Sequence, residues 1–190
     1  MGQGSDANIG GKSAAQDLGG TPGRLVDEAE SQSLISKACQ ELDSSVARLI
    51  AAAERVPQSH HLWSPSPSAR NAVEQVAHAA WALEQMRRMI LGTPFAAPTT
   101  AEGDRIMREF DAGFKSLEEA TELLHTNASR WKETVAALSA SQIDDPVTLP
   151  YGLGEAPRRT MLEAGAAHTL WHLAQLEYLQ TVMGDRDWGF

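Results

Sequence analysis

The chain has 190 residues, a formal net charge of −9 and a single cysteine, Cys39. That length suits one domain able to bury a core without disulfides, and one cysteine excludes a disulfide framework or a Cys-rich zinc site while suiting a reducing compartment. The acidic balance excludes nucleic acid as the main ligand, since phosphate binding needs a concentrated basic surface, and no apolar run reaches the roughly 18–20 residues of a membrane span.

In chain order, residues 1–24 are rich in Gly and small polar residues and nearly free of hydrophobes. Such a stretch cannot offset its ordering entropy by burial, so a disordered tail is expected, leaving a domain over 25–190. No strand precedes its glycines, which removes a dinucleotide-binding reading. It has neither a basic n-region nor an apolar h-region, and a cytoplasmic location is expected.

A first helix is expected over 28–55, where Ile35, Ala38, Leu42, Val46, Leu49 and Ala53 recur at 3–4 spacing. Cys39 falls within it and reads as a small packed hydrophobe. Pro57 and the polar run that follows end the helix, placing His60 and His61 in a loop, exposed or at a pocket mouth. Asn71 and Glu74 have the spacing of a capping box. They open a second helix over 71–91, closed by Gly92 and Pro94. Val73, Val76, Ala77, Ala80, Leu83 and Ile90 form its core side, with His78, Trp81 and Gln85 along one flank. Arg87-Arg88 and Arg158-Arg159 read as solvated helix flanks.

Residues 93–115 form a long connection with a short helix through Asp104–Phe110. Ser116 and Glu119 make a second capping box, opening a helix over 116–139 whose stripe runs Leu117, Thr121, Leu124, Ala128, Trp131, Val135 and Leu138. His125 follows a core position and should face outward. Asp144-Asp145-Pro146 breaks the chain, and Val147–Gly152 reads as an extended crossing segment. Thr160 and Glu163 make a third box, opening a last helix that Gly184 ends. Four long amphipathic helices without a strand pattern predict an all-α four-helix bundle with long crossover connections.

The last helix carries the chemistry. Its expected stripe is Met161, Gly165, His168, His172, Gln175, Leu179 and Val182. Imidazoles four residues apart are about 6 Å apart along a helix and point the same way, the geometry with which one helix offers two nitrogens to a metal. The bland alternative is a pair of core histidines satisfied by hydrogen bonds, but the predicted core offers few polar partners. His78 is the best third ligand, as it lies on the core-proximal side of another long helix. Gln175 could support the site from behind. No HExxH is present, so the built-in glutamate of zincin-type hydrolases is missing, and no di-iron carboxylate set appears.

Three stretches, Asn71–His78, Val147–Gly154 and His168-Thr-Leu-Trp-His172-Leu-Ala-Gln175 closing on Met183-Gly184, resemble the DinB superfamily of DinB/YfiT-like metalloenzymes over about residues 28–184. The resemblance implies a four-helix bundle of crossed connectivity and a metal bound by His78, His168 and His172. It also implies a dimer. Members include transferases using bacillithiol or related low-molecular-weight thiols and a mycothiol-dependent maleylpyruvate isomerase. In the isomerase-like branch a glutamate takes the place of His168, so this chain is nearer the all-histidine members. The expected function is a thiol-dependent S-transferase using Zn or Ni and a low-molecular-weight thiol on a small-molecule substrate. Trp63, Trp81, Trp171 and Tyr151 are candidate pocket walls. The rival readings are a non-catalytic metal-binding or stress-related dimeric bundle and a metal-assisted hydrolase.

Overall fold

The computed structural model describes residues 27–186, and the tail expected over 1–24 lies outside them. Five helices follow one another: α1 (Glu28–Arg55), α2 (Ala72–Ile90), α3 (Thr100–Asp111), α4 (Leu117–Ala136) and α5 (Arg159–Val182). Between α4 and α5 lie two short strands, β1 (Pro146–Thr148) and β2 (Glu155–Pro157), paired antiparallel with Val147 opposite Ala156. The Val147–Gly152 segment is therefore half of a hairpin, not a simple crossing strand. Three-residue strands are too short to show a period in the sequence.

The periodicity of α1, α2 and α4 is obeyed: every stripe residue expected on α1 and α2 is buried, and Leu124, Ala128, Trp131 and Val135 of α4 are buried too. The Asn71–Glu74 box forms in full. The Asn71 side chain accepts from the Glu74 amide at 2.9 Å, and the Glu74 carboxylate accepts from the Asn71 amide at 3.0 Å. The Ser116 box forms by half, because Ser116 accepts from the Glu119 amide while the Glu119 carboxylate turns to the Lys115 amide. The Thr160 box does not form. The helix has already begun at Arg159, since the Arg158 and Arg159 amides donate to Asp145 and Ile143 carbonyls of the preceding segment.

The four long helices form a bundle in which α1 packs against α4 and α5, and α2 against α4 and α5. Consecutive helices α1 and α2 therefore lie diagonally, and the loop between them crosses an end of the bundle. The centre is filled by Leu42, Leu49, Leu83, Leu124, Trp131 and Leu176, all essentially inaccessible. Gly165 of α5 lets the Trp131 ring approach: a Cβ there would lie 3.2 Å from it. Asn127 ties α4 to the Ala80 carbonyl of α2, and Gln180 ties α5 to the Ala52 carbonyl of α1. No helix among the described residues is long and apolar enough to cross a membrane.

Arg87 and Arg158 are not solvated flanks. Arg87 is held in two hydrogen bonds by Glu84, and Arg158 donates to the Gln142 carbonyl and to Asp145. Cys39 is half-buried against the core.

Candidate metal centre

The seam between α2 and α5 brings together His78, His168 and His172. Gln75 and His78 are three apart on α2, and His168 and His172 four apart on α5, so each pair occupies one face of its helix. One ligating nitrogen from each imidazole can be chosen so that all three lie within 4.8 Å of one another. Ring centroids are 4.6 Å apart for His168 and His172, 4.9 Å for His78 and His172, and 5.6 Å for His78 and His168. His78 and His172 are buried, while His168 is half-buried.

Two of the three rings are oriented from behind. His78 Nδ1–H donates to Asp111 Oδ2 at 3.1 Å, and the same oxygen accepts from Arg70 Nε at 2.7 Å. His172 Nδ1–H donates to Gln75 Oε1 at 2.6 Å, and Gln75 Nε2 donates onward to Gln175 Oε1 at 3.1 Å. Carboxylate and carboxamide oxygens only accept, so Nδ1 of both imidazoles carries a proton and Nε2 is the nitrogen left to ligate. This is the arrangement that fixes tautomer and ring plane in histidine metal sites.

The electrostatics agree with that role. Burial, reinforced by the neighbouring His78 and Arg70, pushes the His168 imidazole down to about 4. Burial, with His168, His78 and Arg70 adding to it, pushes His172 down to about 2. Both rings are thus neutral at pH 7, the protonation state a metal ligand requires. The donor set, three imidazoles with two backed by acceptors, fits a borderline-soft divalent cation such as Zn²⁺ or Ni²⁺.

The expected stripe of α5 is one side of a wider buried face: its Met161, Gly165, His172 and Leu179 are buried and His168 is half-buried. Leu162, Ala166, Thr169, Leu173, Leu176 and Gln180 are buried, whereas Gln175 and Val182 are exposed. Gln175 nonetheless reaches the site through Gln75. Of the aromatic residues, Trp81 stacks on His78 with centroids 5.8 Å apart and planes 19° apart, and Tyr151 packs against Phe95. Trp81 and Tyr151 line a cavity with His168. Trp63 and Trp171 do not. Trp63 stands edge-on to His60, and Trp171 is 65% exposed, touching only the outer side of His168 among described aromatic contacts. His125 is exposed, His60 is exposed, and His61 bonds the Val56 carbonyl; none joins the cluster.

Sequence reasoning missed three polar residues at the site: Gln75, Asp111 and Arg70. The core thus offers more polar partners than its composition suggests. Gln75 was within reach, because a glutamine three residues before a core histidine shares its face. Asp111 and Arg70 arrive from a helix end and a loop that only the fold brings to α2.

The sequence model of the DinB superfamily matches residues 41–176, a span that holds all three histidines. The chain belongs to the DinB superfamily. Among solved structures, this DinB-superfamily chain is similar in fold to YfiT from Bacillus subtilis, described as a probable metal-dependent hydrolase with an unusual four-helix bundle topology. The TM-score is 0.66 at 18% identity, covering 87% of this chain and 94% of YfiT. A mycothiol-dependent maleylpyruvate isomerase matches at a TM-score of 0.62 and 10% identity, over 75% of this chain and 60% of the isomerase. DfsB, a sibling lethal factor precursor, matches at 0.61 and 14% identity, over 80% and 97%. None of the curated proteins matches the chain.

Proposed function

We propose that the protein is a thiol-dependent S-transferase whose divalent metal, Zn²⁺ or Ni²⁺, is held by His78, His168 and His172. The observation that carries the metal is the convergence of three imidazole nitrogens within 4.8 Å, two of them oriented through Nδ1. A divalent ion bound there supplies Lewis acidity that lowers the pKa of a thiol or a water. The chain's own groups do the rest. Asp111 and Gln75 hold two rings in register, Arg70 balances the Asp111 charge, and α2 and α5 keep water from the buried side.

What favours a thiol over water is that, among the described residues, no carboxylate stands free at the site to act as a general base. The cavity beside His168 is lined by no carboxylate. Asp111, the acidic group at the site, is held by His78 and Arg70. A thiol has a pKa near about 8.5 and needs far less assistance than water, and its anion is the stronger nucleophile. The likeness to a mycothiol-dependent isomerase supports the same reading. The hydrolase reading draws on the description of YfiT. The small-molecule substrate would be an electrophile, and a single unpaired cysteine suits reaction in the cytoplasm.

A homodimer fits the outer face of α5, where Trp171, Tyr178 and Val182 are 65%, 68% and 46% exposed. Sedimentation should then give a dimer that Trp171→Glu dissociates.

The functional test incubates metal-loaded protein with an alkylating electrophile and a panel of cellular thiols. Turnover requiring both metal and thiol is expected. Metal-dependent ester or amide hydrolysis without thiol would favour the hydrolase, and no turnover of either kind would favour a non-catalytic metal-binding bundle.

A further inference from the structure

On the side of His168 away from Gln75 lies a cavity of about 170 Å³ that the metal chemistry alone does not call for. Its walls are Trp81, Met86, Met89, Phe95, Tyr151 and His168, apart from small alanine and proline surfaces. Phe95 meets Trp81 edge-on at 5.1 Å and Tyr151 edge-on at 6.1 Å, making a continuous aromatic wall from His78 outward. One further lining residue, Gln85, has a buried side-chain oxygen with no hydrogen-bond partner. That oxygen is inaccessible, so it faces protein and not the cavity, whose surface is almost wholly apolar.

The wall is assembled at some cost. Tyr151 sits at φ 60, a conformation unusual for a residue with a side chain. Its ring lies over Gly103 of α3, where a Cβ would come within 2.4 Å. A non-glycine residue in a left-handed conformation, fitted against a glycine 48 positions away in the chain, is held there by its surroundings.

We infer that this cavity is the binding site for the apolar part of the substrate, a single ring or a chain of similar bulk. A cavity of this size holds about one six-membered ring. Aromatic and methionine walls suit a flat, polarizable group. The substrate class rests on the proposed metal-centred transferase; the cavity itself does not. The inference therefore narrows the electrophile to compounds that carry their electrophilic carbon on an aryl or similarly bulky apolar group, and disfavours fully polar ones such as sugar phosphates.

The test uses toluene as the probe, with glycerol as a polar control, followed by NMR on the full-length protein. In metal-free protein, toluene should shift the Trp81 indole and glycerol should not. Gly103→Ala, which displaces Tyr151, should weaken toluene binding. With Co²⁺ loaded, protons of bound toluene should relax faster, because the ring lies beside His168. Loss of cobalt binding with toluene binding intact would sink the metal reading and keep the cavity. No toluene binding, toluene binding that Gly103→Ala leaves unchanged, or cobalt binding without faster relaxation of the bound ring would overturn the inference.

Discussion

Asp111 is almost fully buried, and two partners meet its carboxylate, the Arg70 guanidinium and the His78 imidazole. Its Oδ1 has no hydrogen bond, so its contribution is directional: Oδ2 fixes the His78 ring. Asp111→Asn keeps the shape but can turn a donor toward Nδ1. Metal affinity, read by competition with a chromophoric chelator, should fall about 10–100-fold. An unchanged affinity would remove Asp111 from the site. The lowered pKa values of His168 and His172 also make a stability prediction. Unfolded imidazoles take up protons near pH 6.5, but the folded rings do so only near 4 and 2. Between those values the unfolded chain holds more protons, so stability falls as pH drops below about 6.5. Chemical denaturation of metal-free protein from pH 7 to 4.5 should show that loss, and the double substitution His168→Gln/His172→Gln should flatten it. A wild-type profile already flat would contradict the buried, neutral state of the pair.

At the level of elements, α2 is anchored at its start by a side-chain box that closes on both sides. Asn71→Ala should cost about 1 kcal/mol, or roughly 2–4 °C in Tm for a chain of this size, by differential scanning calorimetry. Ser116→Ala should cost less, since half of its box is absent. The same contrast shows where sequence reasoning reaches and stops. The spacing of Ile35, Leu42, Leu49 and of Val73, Val76, Leu83 locates α1 and α2 because each presents one apolar face. On α5 the histidine stripe covers only part of the buried face. This helix packs on both α1 and α2, so its buried arc is wide, and the histidines form only the edge that faces α2. Thr160 reads as a cap because its spacing to Glu163 is right, but hydrogen bonds from Arg158 and Arg159 to the preceding segment start the helix earlier.

At the scale of the molecule, crossed connectivity is what makes the site. It sets α2 beside α5 across about ninety residues of sequence, and folds α3 back so that its last residue, Asp111, reaches His78. His78, His168 and His172 were legible as a set because core-facing histidines are unusual and a family pattern links them. Arg70 and Asp111 were not, since polar residues at a loop and a helix end gain meaning only from their neighbours in space. The hairpin that delivers Tyr151 to the cavity was hidden for a related reason: its strands are three residues long. The central claim is the three-histidine metal centre. Anomalous diffraction from crystals of untagged protein, recorded across the zinc and nickel absorption edges, tests it most directly. One peak per chain between α2 and α5, within coordination distance of His78, His168 and His172 and absent in His168→Ala, is the predicted result. No peak after loading with either metal, or a peak that persists in His168→Ala, would contradict it.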